Sequence, residues 1–154
     1  MAHLRSQIFS AVKDVLSGVD EFSDPGKVER GRTSAVREDI LPALTLTWAD
    51  RAEGSTIRPF ATEAGADGYD RSLPLAIVVH LSDEDPEEAF DAICVLVEAA
   101  MGQAITLGGT VIECTLASEQ FFVNRDTGLP LLGGSINYLV TYKTVAGDPE
   151  TAAQ

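Results

Sequence analysis

The sequence contains few of the residues that carry out covalent or metal chemistry. Its 154 residues include two histidines, two cysteines and one tryptophan, and aromatic residues make up only 6%. Cys94 and Cys114 form no CxxC pair and lie in apolar runs, so we expect two buried thiols rather than a disulfide or metal ligands. The N-terminal stretch MAHLRSQIFS lacks the apolar core of a secretory signal. We therefore expect a protein that is made in the cytosol.

Long hydrophobic runs and basic residues are scarce as well. The longest apolar stretch, around residues 92–101, is much shorter than a membrane span and is interrupted by Glu98, so we expect no membrane partner. The 11 Lys and Arg residues are outnumbered by 24 Asp and Glu residues, which gives a net charge of −13. Specific nucleic-acid binding needs a basic surface that displaces counterions, so this function is disfavoured. The acidity fits either a well-solvated surface or a surface that DNA passes without adhering.

Length and composition favour a single domain over residues 1–154. Hydrophobic residues make up 45% and charged residues 23%, as in ordinary globular proteins. A domain of this length buries roughly two thirds of the surface of its unfolded chain. The first element is predicted over residues 2–17, where apolar side chains from Leu4 to Val15 recur at helical spacing and Gly18 follows as a stop signal.

A second helix is predicted after the acidic turn SDEDPEE. Asp85 occupies the N-cap position, Pro86 the first helical position and Glu88 the third, which resembles a capping box with a proline start. The helix is expected to end near Gln103. Its wide apolar stripe, which includes Phe90, is typical of a helix laid across a sheet.

Five segments have the patterns of β-strands. Period-two alternation marks three of them (44–48, 111–123 and 135–145), a continuous apolar run predicts a central strand covered on both faces, and residues 27–32 are interpreted as a short strand. These segments are residues 27–32, 44–48, 73–81 (the continuous run), 111–123 and 135–145. In the last segment the side chains expected to face one way are Ile136, Tyr138, Val140 and Tyr142.

Three segments show no regular pattern. Residues 50–72 fit a long loop or a hairpin, residues 124–134 fit a turn, and residues 147–154 fit a flexible tail. The expected fold is α+β, with the order α-β-β-β-α-β-β. Two helices are expected on one face of a mixed or mostly antiparallel sheet of about five strands.

The motifs of common active sites are absent from the sequence. No GxSxG elbow occurs, no GKS or GKT follows a glycine loop, and no GxGxxG follows a strand. His3 lies near the N-terminus, and His80 is expected to be a satisfied residue at a strand end. We therefore expect no enzyme, no catalytic residues, no cofactor and no resident metal. A small enzyme or ligand-binding domain with a pocket under residues 50–72 remains an alternative.

Acidic residues cluster before and within the first turn of the second predicted helix, a position that the helix dipole favours. Weak binding of a divalent cation at a subunit contact is the alternative interpretation. The cluster contains Asp83, Glu84, Asp85, Glu87, Glu88 and Asp91.

Six arginines fall between positions 30 and 71 of this acidic chain. They fit either a soluble surface with ion pairs or an interface in which arginines of one subunit meet carboxylates of the next. The arginines are Arg30, Arg32, Arg37, Arg51, Arg58 and Arg71. The candidate interface residues are Arg30, Arg32, Arg51, Arg58, Arg71, Asp83 and Asp85.

Four stretches together resemble the tail terminator family of long-tailed phages, the minor tail protein U group of lambda-like phages. The likeness spans nearly the whole chain and rests on the order of elements and on a tyrosine-rich closing strand. The stretches are SQIFSAVKDVLSGV, LPALTLTWADR, SLPLAIVVHLSDEDPEEAFDAICVLVEAAM and GGSINYLVTYKTVAGDP.

The resemblance implies a structural virion protein. It would form a homo-oligomeric ring, most simply a hexamer, at the head-proximal end of the tail tube. There it would end tube polymerisation and present a surface to a head-completion or connector protein, while DNA passes through the lumen. Its place would be the head–tail junction of the virion, after synthesis in the host cytoplasm. Another neck protein, such as a tail-completion protein or head–tail connector, and an interaction module unrelated to phage remain alternatives.

Overall fold

The computed structural model describes residues 2–32, 36–124 and 131–153. Within them the chain forms two α-helices and seven β-strands. In chain order these are α1 (Leu4–Ser17), β1 (Val28–Arg30), β2 (Ala43–Trp48), β3 (Gly54–Arg58), β4 (Gly68–Leu81), α2 (Pro86–Gln103), β5 (Glu113–Asn124), β6 (Leu131–Val145) and β7 (Asp148–Ala152). Short 3₁₀ turns lie at Asp20–Phe22, Glu38–Ile40 and Leu107–Gly109.

The strands form one mixed sheet in which β1, β2, β4, β6 and β5 lie side by side in that order. β3 pairs with the part of β4 that extends beyond β2, and β7 pairs with the end of β6 that extends beyond β5. β1 is parallel to β2, and the other pairs are antiparallel. The expected α+β class is confirmed, although the sheet has seven strands where about five were expected.

The hydrophobic core lies between the two helices and one face of the sheet. Along β4, every second side chain from Leu73 to Val79 is fully buried, because alternate residues of a strand point to the same face. The β6 side chains expected to face one way are all buried opposite them: Ile136, Tyr138, Val140 and Tyr142. From the helices, the buried side chains are Leu4, Ile8, Phe9, Val12, Leu16, Phe90, Ile93, Cys94, Val97 and Met101.

The prediction that the central strand is covered on both faces is wrong. Both helices lie on the face of Ile77, whereas Val78 and His80 point to the opposite face and are half-buried. Pro74 and Ala76 on that open face are nevertheless buried. The open face of β4 is therefore partly buried although no helix covers it.

Residues 50–72 contain a hairpin, which is one of the two structures expected there. β3 pairs with β4 from Gly54 opposite Ser72 to Arg58 opposite Gly68. β4 therefore begins at Gly68 and not near residue 73.

Two other predictions need correction. The polar residues 148–152 form β7 and are not a flexible tail, since the backbone pairs with β6 and the Ala153 N–H donates to the Lys143 carbonyl at 3.0 Å. Residues 131–134 belong to β6 and not to the predicted turn, and residues 125–130 lie outside the described residues. Backbone pairing can build a strand from polar residues that show no alternation.

The helix boundaries agree with the sequence signals, but one cap differs. α1 ends at Ser17 with Gly18 as C-cap, and α2 begins at Pro86 with Asp85 as N-cap. The Asp85 side chain makes no capping hydrogen bond, so the predicted capping box does not form. Instead, the Asp83 carboxylate accepts the Asp85 N–H at 2.9 Å.

A glycine in β6 allows α2 to lie close to the sheet. A Cβ at Gly134 would overlap the Phe90 ring and lie 2.5 Å from the Gln120 carbonyl oxygen. Phe90 also contacts Phe121 of β5, with ring centroids 5.6 Å apart. The position therefore requires the absence of a side chain.

We expect Gly134→Ala to lower the free energy of unfolding by about 1–3 kcal/mol, because the added methyl group must displace Phe90 or the backbone. The matched control is Gly102→Ala in α2, where a Cβ meets nothing within 4 Å. That control should be neutral or stabilising by up to about 1 kcal/mol, since alanine favours helix more than glycine does. Urea denaturation of both variants measures the difference, and equal stabilities would contradict the close approach of α2.

Candidate assembly surfaces

One exposed surface is the edge hairpin, which we define as residues 54–68. It consists of β3, the loop 59–67 and the first residue of β4, and within the described residues β3 pairs only with β4. Two large apolar side chains project from it: Ile57 is 59% exposed and Phe60 is 81% exposed. Exposed apolar groups grouped on one edge element are typical of a contact surface.

The loop of the edge hairpin is held by its own hydrogen bonds. The Phe60 N–H donates to the Asp67 carboxylate at 3.2 Å, and the Ala61 N–H donates to the Ala66 carbonyl at 2.8 Å. Phe60 has a φ of 52°, in the left-handed region that non-glycine residues rarely adopt. These contacts present the Phe60 ring outward in a defined conformation.

A buried carboxylate anchors the segment that enters the hairpin. The Glu53 side chain is only 8% exposed and forms ion pairs with Arg5 of α1 at 3.2 Å and with Arg71 of β4 at 3.3 Å. The Tyr142 hydroxyl of β6 donates to the second Glu53 oxygen at 3.0 Å. Burial raises the pKa of Tyr142, and the adjacent Glu53 carboxylate raises it further, so the phenol remains the donor.

Both arginines of this cluster have additional partners. The Arg71 Nε donates to the Thr144 hydroxyl at 2.9 Å, and the Arg5 guanidinium lies over the Trp48 ring, 4.7 Å from its centroid. The cluster therefore links α1, the entry to β3, β4 and β6. Because each of these charged side chains has partners within the chain, the cluster can hold these elements together.

The second exposed surface is the helix-end groove, an apolar depression of about 490 Å³ at the C-terminal ends of α1 and α2. Neither helix has a basic residue in its last turn, and the terminal carbonyls accept instead from the backbone N–H groups of Gly18, Val19 and Ala104. The groove is lined by Val15, Gly18, Val19, Val95, Leu96, Ala99, Ala100, Gln103 and Ala104.

A polar cluster on the open face of the sheet contains one of the two histidines. The Thr45 hydroxyl lies 2.8 Å from His80 Nε2 and accepts from Arg32 Nε at 2.9 Å. Burial lowers the pKa of His80, and the neighbouring Arg32 lowers it further. This geometry favours a neutral imidazole that accepts from Thr45, in agreement with a satisfied residue at a strand end. His3 is the N-cap of α1, where its Nδ1 accepts the Arg5 N–H at 3.0 Å.

An acidic corner lies where α2 meets β5. Burial raises the pKa of Glu119, and a hydrogen bond with Glu98 raises it further. Cys94 lies beside them. Within the described ranges, no group of three or more His, Cys, Asp or Glu side chains is arranged to hold a metal ion.

The predicted interface residues are separated in the structure. Arg30 donates to the Ser6 hydroxyl at 3.1 Å and lies over the Phe9 ring, so it is engaged within the chain, as Arg32 and Arg71 are. Arg51 is exposed before β3, and Arg58 is half-buried in β3.

Asp83 and Asp85 are exposed before α2. An interface role for the seven residues stays a prediction, which fits Arg58 best because Arg58 adjoins the exposed Ile57 in β3. Sequence reasoning missed Glu53 and the helix-end groove. In the sequence, the apolar stripe of α2 extends from the buried Ile93 to Leu96. This extra width of the stripe could have indicated the groove.

No protein-family model and no curated protein sequence matches this chain. None of the helices in the described parts of the chain has both the length and the apolar character that crossing a bilayer requires.

We expect Glu53→Gln to lower the free energy of unfolding by about 2 kcal/mol or more, because it leaves two partly buried arginines without their carboxylate. The matched control is Glu29→Gln, since Glu29 pairs with Lys13 at 3.4 Å and both side chains are more than 40% exposed. The control should cost less than about 1 kcal/mol. Equal losses in thermal and urea denaturation would show that the Glu53 cluster does not anchor the fold.

The two thiols should be unreactive in the folded protein. Burial raises the pKa of Cys94 to about 12, with the nearby Glu119 contributing, and burial alone raises the pKa of Cys114 to about 12. Only the thiolate reacts, so between pH 7 and 9 modification by an aromatic disulfide should be about 100-fold slower than in denaturant or slower still. Rapid modification of native protein at pH 8 would contradict this burial.

Proposed function

We propose that this chain is a structural subunit that assembles head to tail into a ring and caps the head-proximal end of a phage tail tube. The observation that carries the proposal is the presence of two unlike apolar surfaces, the edge hairpin with Ile57 and Phe60 and the helix-end groove. One surface projects and the other is concave. A subunit with two different surfaces of this kind is suited to heterologous association.

The two surfaces lie at opposite ends of α1. Arg5 in the first turn pairs with Glu53 at the entry to the hairpin, whereas Val15 at the other end lines the groove. A helix of 14 residues is about 21 Å long, so the surfaces cannot meet within one molecule. Head-to-tail contacts form closed rings when the rotation between neighbours closes, and a hexamer is the form that the tail terminator likeness favours.

The composition supports the proposed place of such a ring in a virion. The net charge of −13 would repel DNA in the lumen, so DNA would pass without specific binding. In this proposal the tail tube protein contacts one side of the ring and a head-completion or connector protein contacts the other. The protein would act at the head–tail junction after synthesis in the host cytoplasm.

The first test is the oligomeric mass by size exclusion with light scattering, over a range of concentrations and with or without magnesium. We expect a closed species, most simply a hexamer, with a central hole in negative-stain images. Adding it in substoichiometric amounts to polymerising tube protein of the same phage should stop growth at one end.

The result against the proposal would be a protein that stays monomeric in all conditions and leaves tube length unchanged. A ring that binds head-completion protein but not tubes would instead favour the connector role. Ile112→Asn is a suitable control in both assays. Ile112 is exposed and directly precedes β5, which forms the edge of the sheet opposite to the edge hairpin.

A further inference from the structure

We infer that the outer edge of β5 binds an extended segment of another protein, which adds to the sheet as a further strand and places an arginine in the acidic corner. The occupant is thus a basic peptide segment and not a second copy of this chain. This inference goes beyond the proposed function and does not depend on it, because β5 belongs to neither the edge hairpin nor the helix-end groove.

β5 offers a long strand edge for such pairing. It has 12 residues, lies at the end of the strand order and, within the described ranges, pairs with β6 alone. The Gln120 carbonyl oxygen points toward β6, since a Cβ at Gly134 would lie only 2.5 Å from it. Neighbouring residues of a strand direct their backbone groups to opposite sides, so those of Glu119 and Phe121 are directed to the outer edge. An edge of this kind is a template for a further strand.

The middle of β5 is exposed on both faces of the sheet. All six residues 115–120 are exposed, whereas alternate side chains of β4 and β6 are buried under the helices. Leu116 is 43% exposed and Phe122 is 44% exposed. A further strand would shield part of this apolar surface from water. The register of β5 shifts between Leu116 and Ser118, and a bulge disfavours pairing with a long regular strand, so a short segment opposite the residues after Ser118 fits best.

The acidic corner supplies the charge that selects a basic segment. Residues 72–124 include nine Asp and Glu residues but no Lys or Arg. Burial raises the pKa of Glu119, and the neighbouring Glu98 and Asp91 of α2 raise it further. Like charges in contact are unfavourable, and no ion pair of the described residues involves Glu98 or Glu119. One cation from a partner would offset this repulsion.

A pocket beside the corner has the lining that suits a guanidinium group. Its volume is about 300 Å³, and three carboxylates and two phenyl rings line it: Glu87, Asp91, Glu119, Phe90 and Phe121. A guanidinium pairs with carboxylates through its planar fork and stacks on aromatic faces, whereas an ammonium is a strongly hydrated point charge. The residue of an added strand opposite Glu119 would have its Cβ about 5 Å away on the same face, so its side chain reaches the pocket.

The charges of this chain make a second copy a poor occupant. β5 contains no basic residue, so pairing of β5 with β5 would bring only carboxylates to the acidic corner. The other edge strand, β1, is basic, but its cations are engaged within the chain. Arg30 lies over the Phe9 ring, and Arg32 donates to the backbone carbonyls of Gly26, Lys27 and Leu44. An unengaged arginine therefore has to come from a different protein.

The binding test uses the full-length protein and a short fluorescent peptide in which arginine alternates with valine. Fluorescence anisotropy should show saturable binding, which Glu119→Gln weakens about 10-fold through loss of one charge-assisted contact. The matched control is Glu38→Gln, because Glu38 is exposed between β1 and β2 at the other side of the sheet. It should leave the Kd unchanged, and lysine in place of arginine should weaken binding several-fold.

Glu119→Gln should keep its native circular dichroism and its stability, since it removes a like charge from an exposed position. Equal weakening of binding in Glu119→Gln and Glu38→Gln would reduce the contact to general charge attraction and overturn the inference. Absence of binding to the arginine peptide would overturn it as well.

Backbone methylation separates strand addition from charge attraction. One peptide carries N-methyl groups on all its arginines, and a second carries them on all its valines. In an added strand, the N–H groups of one set pair with β5 and those of the other set face away. Only one of the two methylated peptides should therefore lose binding. Equal affinities of the two would contradict strand addition.

Hydrogen exchange reports the same contact on the protein. Saturating peptide should slow exchange at the outward amides of Glu119 and Phe121 by about 10-fold or more, whereas Gln120, whose backbone faces β6, should change little. Unchanged exchange at the two outward amides would place the peptide elsewhere.

Sedimentation velocity identifies a second copy as the occupant if that is the case. Self-association of the protein that the arginine peptide reverses would show that another copy of this chain covers the β5 edge, which overturns the choice of partner. Ring formation that is insensitive to the peptide is the expected result. Failure of any of these binding tests leaves the ring-forming function standing, because that function is measured without the peptide.

Discussion

The antiparallel pairing of β4 with β6 is the interaction on which the rest of the structure depends. It extends along all 14 residues of β4, from Gly68 opposite Val145 to Leu81 opposite Leu132. Every other strand attaches to this pair directly or through β2, and the alternation of its side chains determines which face receives the helices. Because β4 is longer than β2, its first five residues, Gly68 to Ser72, do not pair with β2. β3 pairs with them instead. The edge hairpin is therefore a consequence of the length of the central strand.

The Glu53 cluster links this sheet to the candidate assembly surfaces. A carboxylate that is mostly removed from water needs charged or hydrogen-bonding partners, and here they come from α1, β4 and β6. The cluster sets where the hairpin begins relative to the first turn of α1. The helix then fixes the distance to the groove at its other end. In the proposed assembly, this rigid spacing is what would let one subunit define the position of the next.

Much of the fold could be predicted from local patterns. The helices, the strands near residues 44–48 and 135–145, and the buried thiols follow from hydrophobic periodicity, which reports directly on burial of an element's own residues. β7 was missed because its polar residues DPETA show no alternation, and the strand exists through backbone bonds to β6. Residues 50–72 fitted either a loop or a hairpin, and the pairing of β3 with β4 makes this segment a hairpin. Of the candidate site, Ile57 and Phe60 are recognisable in the sequence as large apolar residues in a polar segment, whereas the groove exists only because the fold brings two helix ends together.

By itself, the sequence determined the acidic character, the α+β class and the elements whose apolar spacing demands a core. It also placed arginines in the middle of the chain, but it did not determine what they contact. Only the tertiary structure decided that Arg71 neutralises Glu53, that Arg32 holds the Thr45–His80 pair, and that β3 lies at an exposed edge. The physical reason is sequence distance. Periodicity is a property of neighbouring residues, whereas the bond between Glu53 and Tyr142 joins positions 89 residues apart and exists only once the sheet and α1 are in place.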